Sequence, residues 1–129
     1  MSIIKKKDIA IRQQESDISS VDSSSVHSGA ISAIHDYLID EASPSKISIV
    51  CALIDDLVAE GVPNTNPDLL FFRGVILFNP VFLNEVPEKF LGILTGGSEI
   101  ADYKTFGLEL IQQAEQEGCS DATEYLRNI

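Results

Sequence analysis

The chain has 129 residues and a formal charge of -11, with 44% hydrophobic residues, no tryptophan and two cysteines. That length holds one core rather than two, and two cysteines are too few for a disulfide framework. The acidic excess repels phosphate backbones and anionic membrane surfaces, which are held by clustered Lys and Arg, so neither nucleic acid nor a membrane is an expected partner.

The charge is unevenly spread. Residues 1–29 balance Lys5, Lys6, Lys7 and Arg12 against Asp8, Glu15, Asp17 and Asp22, whereas the remaining hundred hold five basic and sixteen acidic groups. The whole excess therefore lies after residue 29. Its plain consequence is a solvated acidic surface, to which a basic protein surface, a cationic peptide or divalent cations would be drawn. The opening MSIIKKK has no apolar stretch after its charges, and the longest apolar run, Leu69 to Phe78, is broken by Arg73 and Gly74. A cytoplasmic protein is expected, or one delivered by a route without a recognisable signal peptide.

Taken in chain order, residues 13–29 are rich in Ser, Asp and Gln with isolated aliphatics, so ordering them would gain little burial. A disordered, Ser-rich arm over 1–28 ahead of an acidic helical domain over 29–129 is the expected organisation. Ile31, Ile34, Leu38 and Ala42 fall at helical spacing and predict a first helix over about 29–41, closed by Pro44. Ser45 is the expected cap of a second helix carrying Ile47, Val50, Cys51, Ile54, Leu57 and Val58 on one stripe, with Gly61 as its left-handed end.

Asn66-Pro67 predicts the next start, an N-cap followed by Pro at the first helical position. The run Leu69–Phe78 leaves almost no polar face, so this helix should be the most buried element, stopped at Asn79-Pro80. A short helix is expected near 87–95, begun by Pro87 and ended by Gly96-Gly97. Tyr103, Phe106, Gly107, Leu110, Ile111 and Ala114 define a longer one ended by Gly118. Ser120 or Asp121 should cap a final helix with Ala122, Tyr125, Leu126 and Ile129 facing the core. The fold class is thus all-α, about six short helices as stacked hairpins or a compact bundle.

A search for repeats finds one near the C-terminus. Leu91-Gly92, Gly96-Gly97, Asp102-Tyr103, Ala114-Glu115, Gly118, Ala122 and Leu126 follow the order of a Sel1-like repeat, the tetratricopeptide-related helical hairpin, and this segment resembles that family. Leu91 to Leu126 is a spacing of 35, close to one repeat. Ala59-Glu60-Gly61 echoes the same passage upstream, but Gly92 follows Gly74 at a spacing of only eighteen, and Gly107 stands where a small Ala is expected. The resemblance implies adaptor or scaffold roles.

Chemistry is thinly represented. Both histidines, His27 and His35, lie within or beside the first helix; Cys51 sits on an apolar stripe, and Cys119 follows a helix terminus that disfavours thiolate, with partial exposure expected. No metal-ligand spacing, phosphate loop or nucleophile with a base is evident, so no catalytic group, metal or cofactor is expected. A non-catalytic protein-protein interaction module for a basic or amphipathic partner segment follows, with Asp55, Asp56, Glu60, Glu109, Gln113 and Glu117 as candidate contacts. The alternatives are a small acidic secretion chaperone or immunity-type inhibitor, and a helical ligand-binding or enzyme domain with a pocket beneath Phe71, Phe72, Phe82 and Phe90. Oligomeric state is left open.

Overall fold

The computed structural model describes residues 19–129, with side chains from residue 27 onward. For residues 1–18 the arm expectation lies outside the described residues. The described chain is all-α: α1 (Ser19–His35), α2 (Ile47–Ala59), α3 (Pro67–Phe78), α4 (Pro80–Leu83), α5 (Leu91–Thr95), α6 (Tyr103–Gln116) and α7 (Ser120–Arg127). Among the described residues no helix is long and apolar enough to cross a membrane.

The chain divides at Ser32 into two compact units. In the first, the described residues are helical from Ser19, ten residues before the expected start at 29. A Ser-rich stretch has weak helix propensity but not a prohibitive one. The second unit, residues 33–129, opens with the last turn of α1, which runs into a π-helical turn over Asp36–Asp40. Ile34 and Leu38 are buried as their spacing predicts, but Ala42 lies beyond the turn at φ 48, so the helical stripe ends before it.

The second helix starts differently from expectation. Ser45 lies inside a 3-10 turn over Pro44–Lys46, its Oγ 3.0 Å from that of Ser43, and α2 begins after Lys46 without a side-chain cap. Pro44 favours the tight turn, which uses up the residues available for capping. Most of the α2 stripe is as read: Ile47, Val50, Cys51, Ile54 and Leu57 are buried, whereas Val58 is only half-buried. Gly61 adopts φ 105, and Val62 N–H reaches Leu57 O at 3.0 Å, the left-handed closure expected.

α3 follows its signals closely. Asn66 Oδ1 accepts from Asp68 N at 2.9 Å and Leu69 N at 3.4 Å, with Pro67 at the first helical position. Replacing Asn66 with Ala is expected to cost about 1 kcal/mol, seen as a lower urea midpoint at unchanged m-value. Every residue from Leu69 to Leu77 is buried, so α3 is the centre of the unit. Its main partner is α6, and α4 and α5 also rest on it.

The α3–α6 crossing is set by two glycines. An ideal Cβ built on Gly74 would lie 2.6 Å from Gly107 O, and one on Gly107 would lie 2.6 Å from both Gly74 O and Phe78 N. The two backbones therefore touch, and only residues without a Cβ permit it. Beside this crossing, Phe71 and Phe78 set their rings edge-on to Tyr125 of α7, at 5.8 and 6.4 Å between centroids.

Residues 80–97 hold one correction and one expectation met in outline. Asn79-Pro80 stops α3 but also starts α4, since Asn79 Oδ1 caps Val81 N at 2.9 Å. The helix expected near 87–95 is a 3-10 turn over Glu88–Phe90 leading into α5, which Gly96 ends at φ 68. At the C-terminus, α7 starts after Cys119 rather than being capped by Ser120 or Asp121. Ala122 is buried and Tyr125 and Leu126 are half-buried, whereas Ile129 is 57% exposed, contrary to expectation, because α7 ends at Arg127.

Candidate functional site

Every carboxylate after residue 29 is exposed except the half-buried Asp68, whose pKa is raised by burial and by the nearby Asp121, against a smaller lowering from His35. The cations do not match this display. Arg73 is buried and Lys46 is half-buried, leaving Lys89, Lys104 and Arg127 at the surface.

All six candidate contact residues are exposed. Asp55 and Asp56 lie on α2 with Glu60 at its C-cap, while Glu109 and Gln113 lie on α6 with Glu117 at its C-cap. The two triplets stand on different supports: α6 packs on α3 and α7, and α2 packs on the π turn and the 3-10 turns. Each triplet thus belongs to its own helix.

Between α5 and α6 lies an open cleft of about 500 Å³, with Leu91, Gly92, Ser98, Glu99, Ile100 and Tyr103 among its lining. Arg73 reaches from α3 to the end of α5 and donates through Nε to Leu94 O at 2.9 Å and through Nη1 to Asn64 O at 2.8 Å. These bonds satisfy a carbonyl near the end of α5 and one in the loop before α3. Among the described residues no carboxylate pairs with Arg73, and burial pulls its pKa below the usual value. Gly96 lies over the guanidinium: a Cβ there would sit 3.3 Å from Nη2. The cleft is not the pocket envisaged beneath the phenylalanines, since Phe71, Phe72 and Phe82 are core residues and Phe90 is half-buried.

The π turn produces a juxtaposition that α-helical spacing would not. Residues five apart on an α-helix point about 140° apart, but the i to i+5 pattern, seen in Glu41 N to Asp36 O at 2.8 Å, carries His35 and Asp40 to one side. His35 Nδ1 lies 3.6 Å from Asp40 Oδ2, and its Nε2 lies 3.4 Å from Asp121 Oδ2 at the start of α7. His35, Asp36 and Asp40 could offer a cation three ligand atoms within 4.8 Å of one another. The contacts of the imidazole with its two flanking carboxylates account for the same geometry.

Neither thiol is poised for nucleophilic attack. Burial pushes Cys51 up to about 12. Cys119, expected to be partly exposed, is 8% exposed because its N–H bonds back to Ala114 O at 3.0 Å; burial raises its pKa too. Both thiols are therefore expected to resist labelling at neutral pH until the protein unfolds. In the unfolded chain Cys51 ionises near 9.0, so between that pH and about 12 the folded state binds more protons. Stability is expected to fall as pH rises through this window, which denaturant midpoints against pH would record; Tyr125, raised by burial above 10.0, adds to the fall in the same sense.

The geometry defines an acidic, all-α unit with an open cleft between α5 and α6. No family model matches the chain, and neither the curated proteins nor the solved structures contain a match to it.

Proposed function

We propose that residues 29–129 act as a non-catalytic protein-binding module, an adaptor or scaffold that captures a basic or amphipathic segment of another protein. The observation that carries this reading is the mismatch between exposed carboxylates and surface cations, which burial of Arg73 makes sharper than the net charge alone. Complementary charge would steer such a segment to the domain and favour it over acidic competitors. The Sel1-like pattern over residues 91–126 adds support, because helical hairpins of that kind present surfaces rather than enclose reactions.

The test uses a synthetic amphipathic peptide with Lys and Leu at helical spacing, titrated into the full chain. Binding should weaken steeply between low and high salt as the Debye length falls from about 10 Å at 0.1 M to about 3 Å at 1 M. Replacing Asp55, Asp56 and Glu60 with Lys, or separately reversing Glu109 and Glu117 to Lys with Gln113→Lys added, should locate the contacts that matter. Affinity indifferent to salt and to both reversals would defeat the proposal. An adaptor of this size should also run as a 14.1 kDa monomer, whereas a secretion chaperone should be a homodimer.

A further inference from the structure

The cleft between α5 and α6 deepens this reading and rests on it. We propose that the cleft receives the side chain of one lysine or arginine from the partner segment, its aliphatic stem along Leu91, Ile100 and Tyr103 and its charged head at Glu99. Long basic side chains bury their stems on apolar surface while keeping the head near carboxylates and water. The lining supplies both kinds of group: the aliphatic and aromatic Leu91, Ile100 and Tyr103, and the polar Ser98 and Glu99. About 500 Å³ is ample for one such side chain and part of its backbone.

Among the described residues, Lys89, Lys104 and Arg73 are each engaged elsewhere. Lys89 Nζ stands 5.1 Å from the Phe90 ring centroid and Lys104 Nζ stands 5.4 Å from that of Phe78, each on an aromatic face rather than among the cleft residues. Arg73 is committed to Leu94 O and Asn64 O.

Gly92 supplies an independent observation. It lies inside α5 without a positive φ, and a Cβ added there meets nothing within 4 Å. Neither backbone conformation nor close packing requires glycine, although glycine within a helix lowers its stability. Gly92 lines the cleft, so any larger side chain there would take up cleft space. Room for an incoming group is the use this glycine serves. By contrast, Gly96 and Gly97 are needed for the turn itself, at φ 68 and 83.

The experiment is a heteronuclear NMR titration of the full ¹⁵N-labelled chain with N-acetyl-arginine amide. N-acetyl-norleucine amide and N-acetyl-glutamate amide serve as uncharged and anionic controls. Saturable shifts confined to amides between Leu91 and Tyr103 are expected with the arginine probe, and binding about fivefold weaker with norleucine. Glu99→Gln should weaken the arginine response severalfold. Gly92→Leu should abolish it while keeping the helical circular dichroism and melting no lower than the parent. Equal response to norleucine, preference for glutamate, or unchanged binding by Gly92→Leu would each overturn the inference.

The Lys-Leu peptide separates the two levels. If it binds in a salt-dependent way while the Leu91–Tyr103 amides stay silent, the module reading stands and this cleft assignment fails. If arginine amide saturates the cleft but the peptide does not bind, the protein-partner reading fails, and with it the assignment to a partner's side chain.

Discussion

Replacing Gly107 with Ala is expected to destabilise the protein by about 3 kcal/mol, the cost of forcing packed elements apart. The new Cβ would stand 2.6 Å from Gly74 O and from Phe78 N and 3.0 Å from Leu77 C, all backbone atoms of α3. No side-chain rotation relieves such a contact, so α6 must move away from α3 along their main interface. That movement opens gaps around Ile111 and Leu110, both buried against it. Alanine's better helix propensity, about 1 kcal/mol, offsets only part of this. Gly74→Ala should behave alike, since its Cβ would meet Gly107 O and Ile111 Cγ1 at 2.6 Å.

The double variant should lose less than the two single losses combined, because the first substitution has already parted the helices. Gly92→Ala is the control with the opposite sign: in open space it should stabilise by about 0.5–1 kcal/mol. Urea unfolding of the four proteins reads all these values. A Gly107→Ala protein within about 0.5 kcal/mol of the parent would mean that the helices do not cross as closely as described.

The second large effect is expected at Arg73. Arg73→Met keeps much of the buried stem but strips the donors from Leu94 O and Asn64 O, and buried carbonyls left unpaired cost about 1–3 kcal/mol each. A total loss of about 2–4 kcal/mol is expected, tempered by relief of the buried charge. Arg73→Lys should recover little, because one ammonium on a flexible stem does not reproduce a planar fork that serves two carbonyls on different segments. The damage should be local as well as global. Hydrogen exchange at Gly97 N–H, which bonds to Gly92 O at 2.8 Å, should accelerate more than exchange in α6. An Arg73→Lys protein as stable as the parent would show that the two bonds do not hold the turn.

The parts of the fold legible beforehand are those encoded within a few residues. Asn66-Pro67, Gly61 and Gly118 each mark a helix limit by local backbone chemistry, and each does so in the structure. The misreadings arise where adjacent residues compete for one role or one motif serves two. Pro44 draws Ser45 into a 3-10 turn, Cys119 stands where Ser120 or Asp121 was expected, and Asn79-Pro80 both stops α3 and starts α4. The His35–Asp40 pairing was illegible for a different reason, because a spacing of five is read as opposite faces unless the π turn is known.

Taken alone, the sequence determined an all-α chain, its central buried helix, most helix ends and an acid excess confined to residues after 29. These rest on period, capping and charge, which act over a turn or two of chain. Tertiary structure alone decided that Gly74 meets Gly107, that Arg73 binds carbonyls on two segments, and that Gly92 borders a cleft rather than a packed contact. Each depends on residues distant in sequence arriving at one place. A glycine or an arginine carries no local mark of which backbone will approach it.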